Sequence, residues 1–395
     1  MSAAASNIRP AASVLVLRDG TRGVEVLLMR RPERGDNDFR SGACVFPGGV
    51  LDAADRDAWR WCLGQDDAQA SARLGLSDGG LDYFVAALRE CFEEVGLLFV
   101  CQPDGSPADL GPHAQALRDW RHRLHHGQAT MAALCGAFDW RLDLREMAYF
   151  SHWLTPVVRP KRFDTRFFVR LAPSAQEAMP DMGEALELMW LTPDEALQPQ
   201  RALKLLNVTQ RTLQDMRGFA SARAAYDHAL ALRRVALHFP RPALGRNGPR
   251  FVIESDPAYE EVAHLDPDGR GDVRCELQAG DVQRLSPRLW RVSGAARNAY
   301  LVRDPDSADW VSLGADAGDA PQAQALRSIA GGARAIGPCA PGQVLRLGPG
   351  TTLRAVGDDG WLLEEERTLI GNAPQQPGAD WLAPERGFLR RCPPA

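Results

Sequence analysis

The segment FVAALRECFEEVGL fills residues 84–97 and predicts an amphipathic helix. Its apolar residues recur at helical spacing and would form one buried stripe, made of Val85, Leu88, Phe92 and Val95. Gly96 stands where a residue in the left-handed conformation ends many helices. The segment is therefore expected to pack one face into a hydrophobic core and to stop at Gly96.

Three carboxylates crowd one turn of this predicted helix. Glu90, Glu93 and Glu94 stand at positions i, i+3 and i+4, so their side chains adjoin and repel one another. A hard cation that prefers oxygen ligands, such as Mg²⁺ or Mn²⁺, would relieve this repulsion. The alternative interpretation is a solvated helix face on which Arg89 pairs with Glu93.

A second motif, FPGG at residues 46–49, lies upstream of the helix. Together the two motifs resemble the Nudix box, G-x5-E-x7-R-E-U-x-E-E-x-G-U with U aliphatic. The chain is therefore similar to Nudix hydrolases, whose fold is an α/β/α sandwich. The resemblance implies that Gly48 and Gly49 contact substrate, while Glu90, Glu93 and Glu94 hold Mg²⁺ or Mn²⁺ against a diphosphate.

The spacing departs from this pattern in one place. Gly49 and Arg89 lie 40 positions apart, so the loop contains an insertion at about residues 55–80. Counted back from Arg89, the first acid of the box falls on Leu81, which predicts that the acid bracing the helix is lost. An insertion between these motifs is similar to the coenzyme A diphosphatase branch of peroxisomal type. That resemblance favours coenzyme A or acyl-coenzyme A as the substrate.

Basic residues in two other segments are candidates for contacts with substrate phosphates. Arg34 and Arg40 flank the loop before FPGG. The later segment KRFDTRFFV reads as a strand and presents Lys161, Arg162 and Arg166. Cross-strand pairing with Asp164 or another acid is the alternative for these three.

Many Nudix enzymes draw a further carboxylate, as metal ligand or general base, from the loop that corresponds to the one before residues 189–191 here. Glu184 or Glu187 would supply it here, and Glu187 is the candidate for a catalytic role. The proton acceptor is expected to be Glu90 or one of these loop glutamates, while Arg89 would brace the helix by pairing with a glutamate. These roles follow from the resemblance.

The sequence composition argues against a nucleic-acid binder and against a membrane protein. The formal net charge of −5 argues against a nucleic-acid binder, because such binding needs surplus Lys and Arg. The 8 cysteines include no CxxC pair and are expected to be reduced thiols of a cytoplasmic protein. No segment reaches the roughly 18 apolar residues of a membrane span, and no signal peptide is evident, so no membrane contact is expected.

The first strands and the domain boundary can be read from local patterns. Residues 11–17 and 24–29 predict a hairpin whose turn is Arg18-Asp19-Gly20. Helical periodicity ends near residues 238–248, where Gly, Pro and Asp become frequent. The chain is therefore expected to have a Nudix domain at residues 8–238 and a smaller, mostly β domain at residues 249–395.

The second domain resembles a degenerate metallo-β-lactamase fold. Its predicted strands at residues 285–292 and 294–302 are similar to the opening strands of that fold. No histidine follows His264, and Asn372 and Arg386 stand where metal ligands are usual, so a dizinc site is not expected. The domain would then serve packing or oligomer contacts, for example in a homodimer.

The sequence as a whole predicts a metal-dependent hydrolase of nucleoside diphosphate derivatives. The expected substrate is coenzyme A or acyl-coenzyme A. Two alternatives stay open: a Nudix pyrophosphatase that acts on ADP-ribose or dinucleotides, and a module that senses a nucleotide without cleaving it.

Overall fold

The computed structural model describes residues 8–33, 40–181, 183–307, 309–357, 359–371, 381–382 and 390–391. The chain divides into two compact units. The N-terminal unit comprises residues 1–155 and 161–238, and the second unit comprises residues 156–160 and 239–395. The sequence-based domain ranges were 8–238 and 249–395. Each unit is described by itself.

An 8-stranded mixed sheet forms the centre of the N-terminal unit, in the order β10-β2-β1-β9-β8-β11, with β3 beside β2 and β4 beside β1. A separate sheet has the order β5-β7-β6. The strands of this unit are β1 Ile8–Gly20, β2 Gly23–Arg30, β3 Cys44–Val45, β4 Gly48–Val50, β5 Cys62–Leu63, β6 Val100–Cys101, β7 Arg141–Asp143, β8 Ala148–Leu154, β9 Arg162–Leu171, β10 Glu187–Leu191 and β11 Leu237–His238.

Helices cover both faces of the large sheet. The α-helices are α1 Asp67–Leu74, α2 Gly80–Val95, α3 Ala114–His125, α4 Met131–Phe138, α5 Pro193–Ala196, α6 Asn207–Asp215 and α7 Ala222–Ala231. Short 3₁₀ helices occupy Ala53–Trp61, Gly111–His113 and Pro199–Arg201. This arrangement is the predicted α/β sandwich.

The strand β1 shows how two cores arise from one sheet. Successive side chains of a strand point to opposite faces. Val14 and Val16 pack into the core that contains α2, whereas Leu15 and Leu17 pack into the core that contains α6 and α7. All four are fully buried, so β1 is covered on both sides.

The hairpin β1–β2 confirms the predicted pair of strands but turns later than predicted. Gly20 pairs with Gly23, so the turn is made by Thr21 and Arg22 and the predicted turn residues lie within β1. Gly23 has a φ of 124°, a conformation that glycine adopts without a steric penalty. On its other side β1 runs parallel to β9, with Ala12 opposite Arg166.

The insertion folds into the 3₁₀ helix Ala53–Trp61, β5 and α1, and it holds the start of α2. The Asp67 carboxylate accepts hydrogen bonds from the backbone N–H groups of Gly79 and Leu81 at 3.1 and 2.9 Å. The Ser71 hydroxyl accepts one from Gly80 at 2.8 Å. Since the first N–H groups of a helix have no partner within it, these side chains act as its cap.

The second unit is mostly β. Its strands are β12 Arg241–Gly245, β13 Gly248–Val252, β14 Val282–Arg284, β15 Leu289–Val292, β16 Ala299–Arg303, β17 Trp310–Leu313, β18 Arg334–Ile336, β19 Val344–Gly348, β20 Thr351–Ala355, β21 Gly360–Leu363, β22 Thr368–Gly371, β23 Trp381–Leu382 and β24 Arg390–Arg391. Its helices are α8 Tyr259–Leu265 and α9 Ala320–Ile329.

These strands form a 2-stranded sheet, a 5-stranded sheet from β14 to β18 and a 6-stranded sheet from β19 to β24. The two larger sheets share one core, to which Leu289 and Val302 contribute from the first and Leu353 and Leu363 from the second. The helix α9 packs on a separate cluster with Val292 and Leu301. The unit is thus a pair of packed sheets with a helix on one outer face.

Two further findings concern the cysteines and the lengths of the helices. The described cysteines, seven of them, carry free thiols, and five of these are buried. Within the described ranges, no helix is both long and apolar enough to cross a lipid bilayer.

Candidate active site

The helix α2 spans Gly80–Val95, four residues earlier at its start than the sequence predicts. Its apolar stripe is buried, and Gly96 ends it with a φ of 75° while its N–H donates to the Phe92 carbonyl at 3.0 Å. The acidic turn is buried as well. The side chains of Glu93 and Glu94 are only 10% and 2% exposed, so the solvated-face alternative does not describe them.

The glycine loop lies directly against this acidic turn. The Gly48 backbone N–H donates to Glu94 Oε2 at 2.8 Å. A Cβ atom at Gly48 would collide with the carbonyl oxygen of Ala12, and one at Gly49 would collide with the Glu90 carboxylate. Both glycines are therefore required by close approach, one of backbone to backbone and the other of backbone to carboxylate.

Asp55 braces the helix through Arg89. The Arg89 guanidinium donates from Nε to Asp55 Oδ1 at 2.7 Å and from Nη2 to Asp55 Oδ2 at 3.1 Å. Such bidentate pairs fix orientation as well as charge. Arg89 also donates to the Val50 carbonyl at 2.9 Å, so it ties α2 to the end of β4.

The prediction that the bracing acid is lost, with Leu81 in its place, is wrong. Leu81 is a buried core residue at the start of α2. Counted forward from Gly49, the sixth residue is Asp55, which is the position of the acid in the box. The extra residues therefore lie between this acid and Arg89, which are 34 positions apart.

Arg89 also contacts two of the three helix carboxylates. Its Nη1 donates to Glu90 Oε1 at 2.7 Å and lies 3.5 Å from Glu93 Oε1. Burial alone would lower the pKa of Arg89, but Asp55, Glu90 and Glu93 raise it above its ordinary value. One guanidinium thus faces three carboxylates, which leaves the cluster with excess negative charge.

The excess charge appears in the pKa values of the acids. Burial, followed by the neighbouring Glu90, raises the pKa of Glu93 to about 7 against the attraction of Arg89. Burial also raises the pKa of Glu90, and it raises that of Glu94 well above the ordinary range. Desolvation disfavours the charged form of a carboxyl group, so ionised carboxylates in this turn destabilise the folded protein.

The carboxylate oxygens of the acidic turn are ligands that suit a hard cation, but they do not converge on one point in the structure. Glu94 Oε1 is buried and has no hydrogen-bond partner among the described residues, the nearest cation being Arg31 Nη1 at 3.9 Å. In the same part of the chain, no three His, Cys, Asp or Glu side chains converge as a ready-made metal site. The reason is visible in the contacts: Glu90 is turned toward Arg89 and Glu94 toward Gly48.

The two loop glutamates have different surroundings. Glu187 begins β10, is 51% exposed and pairs with Arg30 at 2.9 Å. Glu184 raises the pKa of both Glu90 and Glu94, so its charge lies near the acidic turn. Its backbone N–H donates to Asp181 at 3.1 Å, which fixes this loop.

The basic residues predicted to contact substrate phosphates lie in different surroundings. Arg34 lies outside the described residues, and the Arg40 guanidinium stacks on the Phe163 ring at 5.1 Å. Lys161 is exposed, whereas Arg162 is buried and donates to the Thr155 carbonyl at 3.0 Å.

Arg166 pairs with Asp164, the acid named in the alternative interpretation, but both residues lie on β9, so the pairing is within one strand and not across strands. Only 3% of it is exposed, its guanidinium lies 4.4 Å from the centre of the Tyr83 ring, and Nη1 is 3.4 Å from both Asp164 oxygens. His152, opposite Arg166 on β8, binds the same carboxylate. Arg166 therefore belongs to a network of side chains beside the first turns of α2.

Sequence reasoning missed Asp55 and Arg31. Asp55 carried a signal, because counting the box forward from Gly49 reaches it. Arg31 carried none: its approach to Glu94 depends on the path of the chain after β2, which local patterns do not reveal.

Known proteins and one family model are similar to parts of this chain. Residues 67–207 match the family model described as the NUDT19 Nudix domain. The human acyl-coenzyme A diphosphatase NUDT19 is 32% identical over 205 residues, which cover 43% of this chain and 54% of the relative. The protein of that name from Gallus gallus is 28% identical over 307 residues, covering 64% of this chain and 76% of the relative.

The match with the human relative thus spans about half of that protein's length. Among solved structures, the Nudix hydrolase from Alicyclobacillus acidocaldarius is 28% identical, covers 57% of this chain and 97% of its own, and has a TM-score of 0.49.

Proposed function

We propose, from the premise that the N-terminal unit is a Nudix domain, that this protein hydrolyses the diphosphate of coenzyme A or acyl-coenzyme A. Water would attack one phosphorus of the anhydride, and the bond between that phosphorus and the bridging oxygen would break. The products would be the 4′-phosphopantetheine moiety and adenosine 3′,5′-bisphosphate. The similarity to relatives named acyl-coenzyme A diphosphatase supports this choice of substrate.

One observation carries the proposal: three carboxylates, two of them buried and the third 13% exposed, share a helical turn, their pKa values are raised, and one of their oxygens has no partner among the described residues. Glu90, Glu93 and Glu94 would hold Mg²⁺ or Mn²⁺, for which Glu90 must leave Arg89. Such a cation, when bound, neutralises the diphosphate and lowers the pKa of water. The Arg89–Asp55 pair would keep the turn in place when Glu90 moves.

The proton of the attacking water needs an acceptor near this turn. Glu90 is one candidate, since burial already raises its pKa. Of the loop glutamates we favour Glu184 over Glu187, because the charge of Glu184 acts on Glu90 and Glu94 while Glu187 is paired with Arg30. Gly48, Gly49, Arg40 and Lys161 are proposed to contact the substrate.

The test is turnover of a substrate panel. The protein would be incubated with Mg²⁺, or with Mn²⁺, and with coenzyme A, an acyl-coenzyme A, ADP-ribose, NADH or diadenosine tetraphosphate, and the products identified by chromatography. We expect fastest turnover of the coenzyme A compounds. Preferred cleavage of ADP-ribose or a dinucleotide would support the alternative pyrophosphatase. Binding without turnover of any of them would support the nucleotide-sensing module.

For the second unit we propose a metal-free relative of the metallo-β-lactamase fold. Two packed sheets with α9 on an outer face support this fold. The absence of histidine after His264 in the sequence argues against a dizinc site there, and Asn372 and Arg386 lie outside the described residues. Elemental analysis of the purified protein should find no zinc that survives dialysis, and its oligomeric state by light scattering would test a homodimer.

We also propose a cytoplasmic location. The free thiols of the described cysteines support a reducing compartment. Fractionation of source cells, with the protein detected by antibody, would test this.

A further inference from the structure

A cleft of about 670 Å³ lies at one end of the large sheet, between β1, β10, residues 171–178 and the start of α7. Its floor is apolar and includes Leu188 and Trp190 of β10, and one wall is the segment of residues 171–178 with Pro173 and Ala178. Pockets for small organic ligands have volumes of about 300–1,000 Å³ and walls that are mostly apolar. The cleft therefore has the size of a ligand site, its lining is both apolar and polar, and none of the proposed catalytic residues lines it.

The cleft adjoins the acidic turn through β10 and β2. Leu188 pairs with Met29, and the next pair along the strands is Glu187 with Arg30. The residue after Arg30 is Arg31, whose guanidinium approaches Glu94. Leu188, Trp190 and Ala178 pack against the core that contains α2. The strand pairing thus places Leu188 of the cleft opposite Met29, two positions before Arg31.

The wall of the cleft is attached to the end of the catalytic helix. The Gln176 side-chain amide donates to the Leu98 carbonyl at 2.7 Å and accepts from the Leu98 N–H at 2.9 Å. Leu98 follows Gly96, the residue that ends α2. The Ala172 N–H donates to the Leu17 carbonyl at 2.7 Å, which fixes the other end of the wall. The cleft is therefore bounded by backbone that is held at both ends.

The charges at the rim indicate what kind of group the cleft binds. Arg18 and Arg223 are balanced by Asp19 and Glu177. Both arginines are already paired, Arg18 with Glu25 at 2.7 Å and Arg223 with Glu146 at 2.8 Å. A phosphate would meet no surplus positive charge here, whereas a neutral, largely apolar chain can lie on the floor without desolvating an unpaired ion.

We propose that this cleft binds the neutral arm of the substrate, the pantetheine chain together with its acyl group, while the diphosphate lies at the acidic turn. The inference rests on the proposed function. It adds a specificity site: the apolar floor would recognise acyl chains by the area they bury, so that longer chains bind more tightly. Trp190, with the Arg18 guanidinium 4.2 Å from its ring centre, would form the far end of the cleft.

The test fills the cleft and varies the acyl chain. KM and kcat would be measured for acetyl-, octanoyl- and dodecanoyl-coenzyme A with the parent, with Ala178→Trp and with the matched control Ala137→Trp, which changes an exposed alanine on α4. For the parent and the control we expect KM to fall about tenfold or more from acetyl to dodecanoyl. For Ala178→Trp that dependence should disappear, because the indole occupies the space proposed for the chain, whereas Ala137→Trp should keep the parental kcat and KM on all three substrates.

Circular dichroism would verify that Ala178→Trp folds, and Leu188→Gln would carry the same test if it does not. A parent whose KM does not fall with chain length would overturn the inference, as would a filled cleft that leaves the dependence unchanged. Either result leaves the hydrolase proposal standing if coenzyme A is still cleaved. A parent that cleaves no coenzyme A compound would overturn both proposals.

Discussion

Both units of this protein bury carboxylate side chains, but the groups that surround these carboxylates differ between the two units. In the second unit Glu261 and Arg291 are both at most 2% exposed and form a bidentate ion pair. Asp304, also buried, accepts hydrogen bonds from Asp306 and Gly350 at 2.9 Å each. Burial alone would raise the pKa of Asp304, but these bonds hold it below its ordinary value.

In the N-terminal unit the buried carboxylates outnumber their partners. One oxygen of Glu94 is left without a hydrogen bond among the described residues, and the pKa values of Glu90, Glu93 and Glu94 are all raised. A buried charge that the protein itself neutralises contributes to structure, whereas one left uncompensated destabilises the fold and is retained when a ligand compensates it. From this comparison we propose that the acidic turn serves function and that the Glu261–Arg291 pair serves stability.

The largest expected effect is on turnover. Glu93→Gln removes a proposed metal ligand with little change of shape, so kcat for coenzyme A should fall by about a thousandfold or more while circular dichroism is unchanged. The control Glu260→Gln changes an exposed acid of α8 and should keep parental turnover. If Glu93→Gln turns over as fast as the parent, the acidic turn is not the active site.

In the second unit, mutation of the buried Glu261–Arg291 pair should change the stability of the protein. Glu261→Gln leaves Arg291 buried without its charge partner, so the free energy of unfolding should fall by about 3–5 kcal/mol in urea denaturation. Replacing both partners, as in Glu261→Leu with Arg291→Met, should recover much of this loss, because no unpaired charge remains. A Glu261→Gln variant as stable as the parent would contradict the role given to the pair.

The raised pKa of Glu93 predicts an unusual dependence of stability on pH. Below about pH 4.5 this group is protonated in both the folded and the unfolded protein. Between that pH and its folded pKa of about 7, the unfolded state loses the proton first, so stability is lost as the pH rises.

The metal-free parent should therefore lose about 3 kcal/mol relative to Glu93→Gln between pH 4.5 and pH 8, measured by urea denaturation. Mg²⁺ added at pH 8 should restore part of it in the parent alone. If the free energy of unfolding changes with pH in the same way for both proteins, the pKa of Glu93 is not raised in the folded parent.

A smaller effect on turnover is expected from mutation of Asp55, which braces α2 through Arg89. Asp55→Asn keeps the shape of the side chain but weakens its hold on Arg89, so kcat should fall about 10- to 100-fold, as is usual for residues that orient metal ligands. The matched control Asp57→Asn lies exposed in the same 3₁₀ helix and should be neutral. Equal kcat values for the two variants would remove Asp55 from the account.

Local patterns in the sequence predicted the elements better than their ends. The stripe of α2 and the carboxylate turn follow from residue spacing alone. The helix nevertheless begins at Gly80, because Asp67 and Ser71 of the insertion cap it. In the second unit, the strand predicted at residues 285–292 begins only at Leu289, since the Ser286 hydroxyl accepts the N–H groups of Arg288 and Leu289 and forms a turn.

The site was predicted where its residues are neighbours in sequence and missed where they are not. Glu90, Glu93 and Glu94 share a turn, whereas Asp55 reaches Arg89 across 34 positions. Asp164 and Arg166 stand two positions apart on β9 and share a face, whereas the neighbours His152 on β8 and Tyr83 on α2 are brought to Arg166 by the tertiary fold. Such pairings depend on the tertiary fold, which spacing along the chain does not encode.

The most direct test of the central claim is binding of Mn²⁺ to the acidic turn. Electron paramagnetic resonance would count the Mn²⁺ bound in the presence of α,β-methylene ADP, a diphosphate that resists cleavage, for the parent and for the variant with Glu90, Glu93 and Glu94 all changed to Gln. We predict at least one bound ion in the parent and its loss from a folded variant. Equal binding by both proteins, or none by a parent that holds the analogue, would contradict the account.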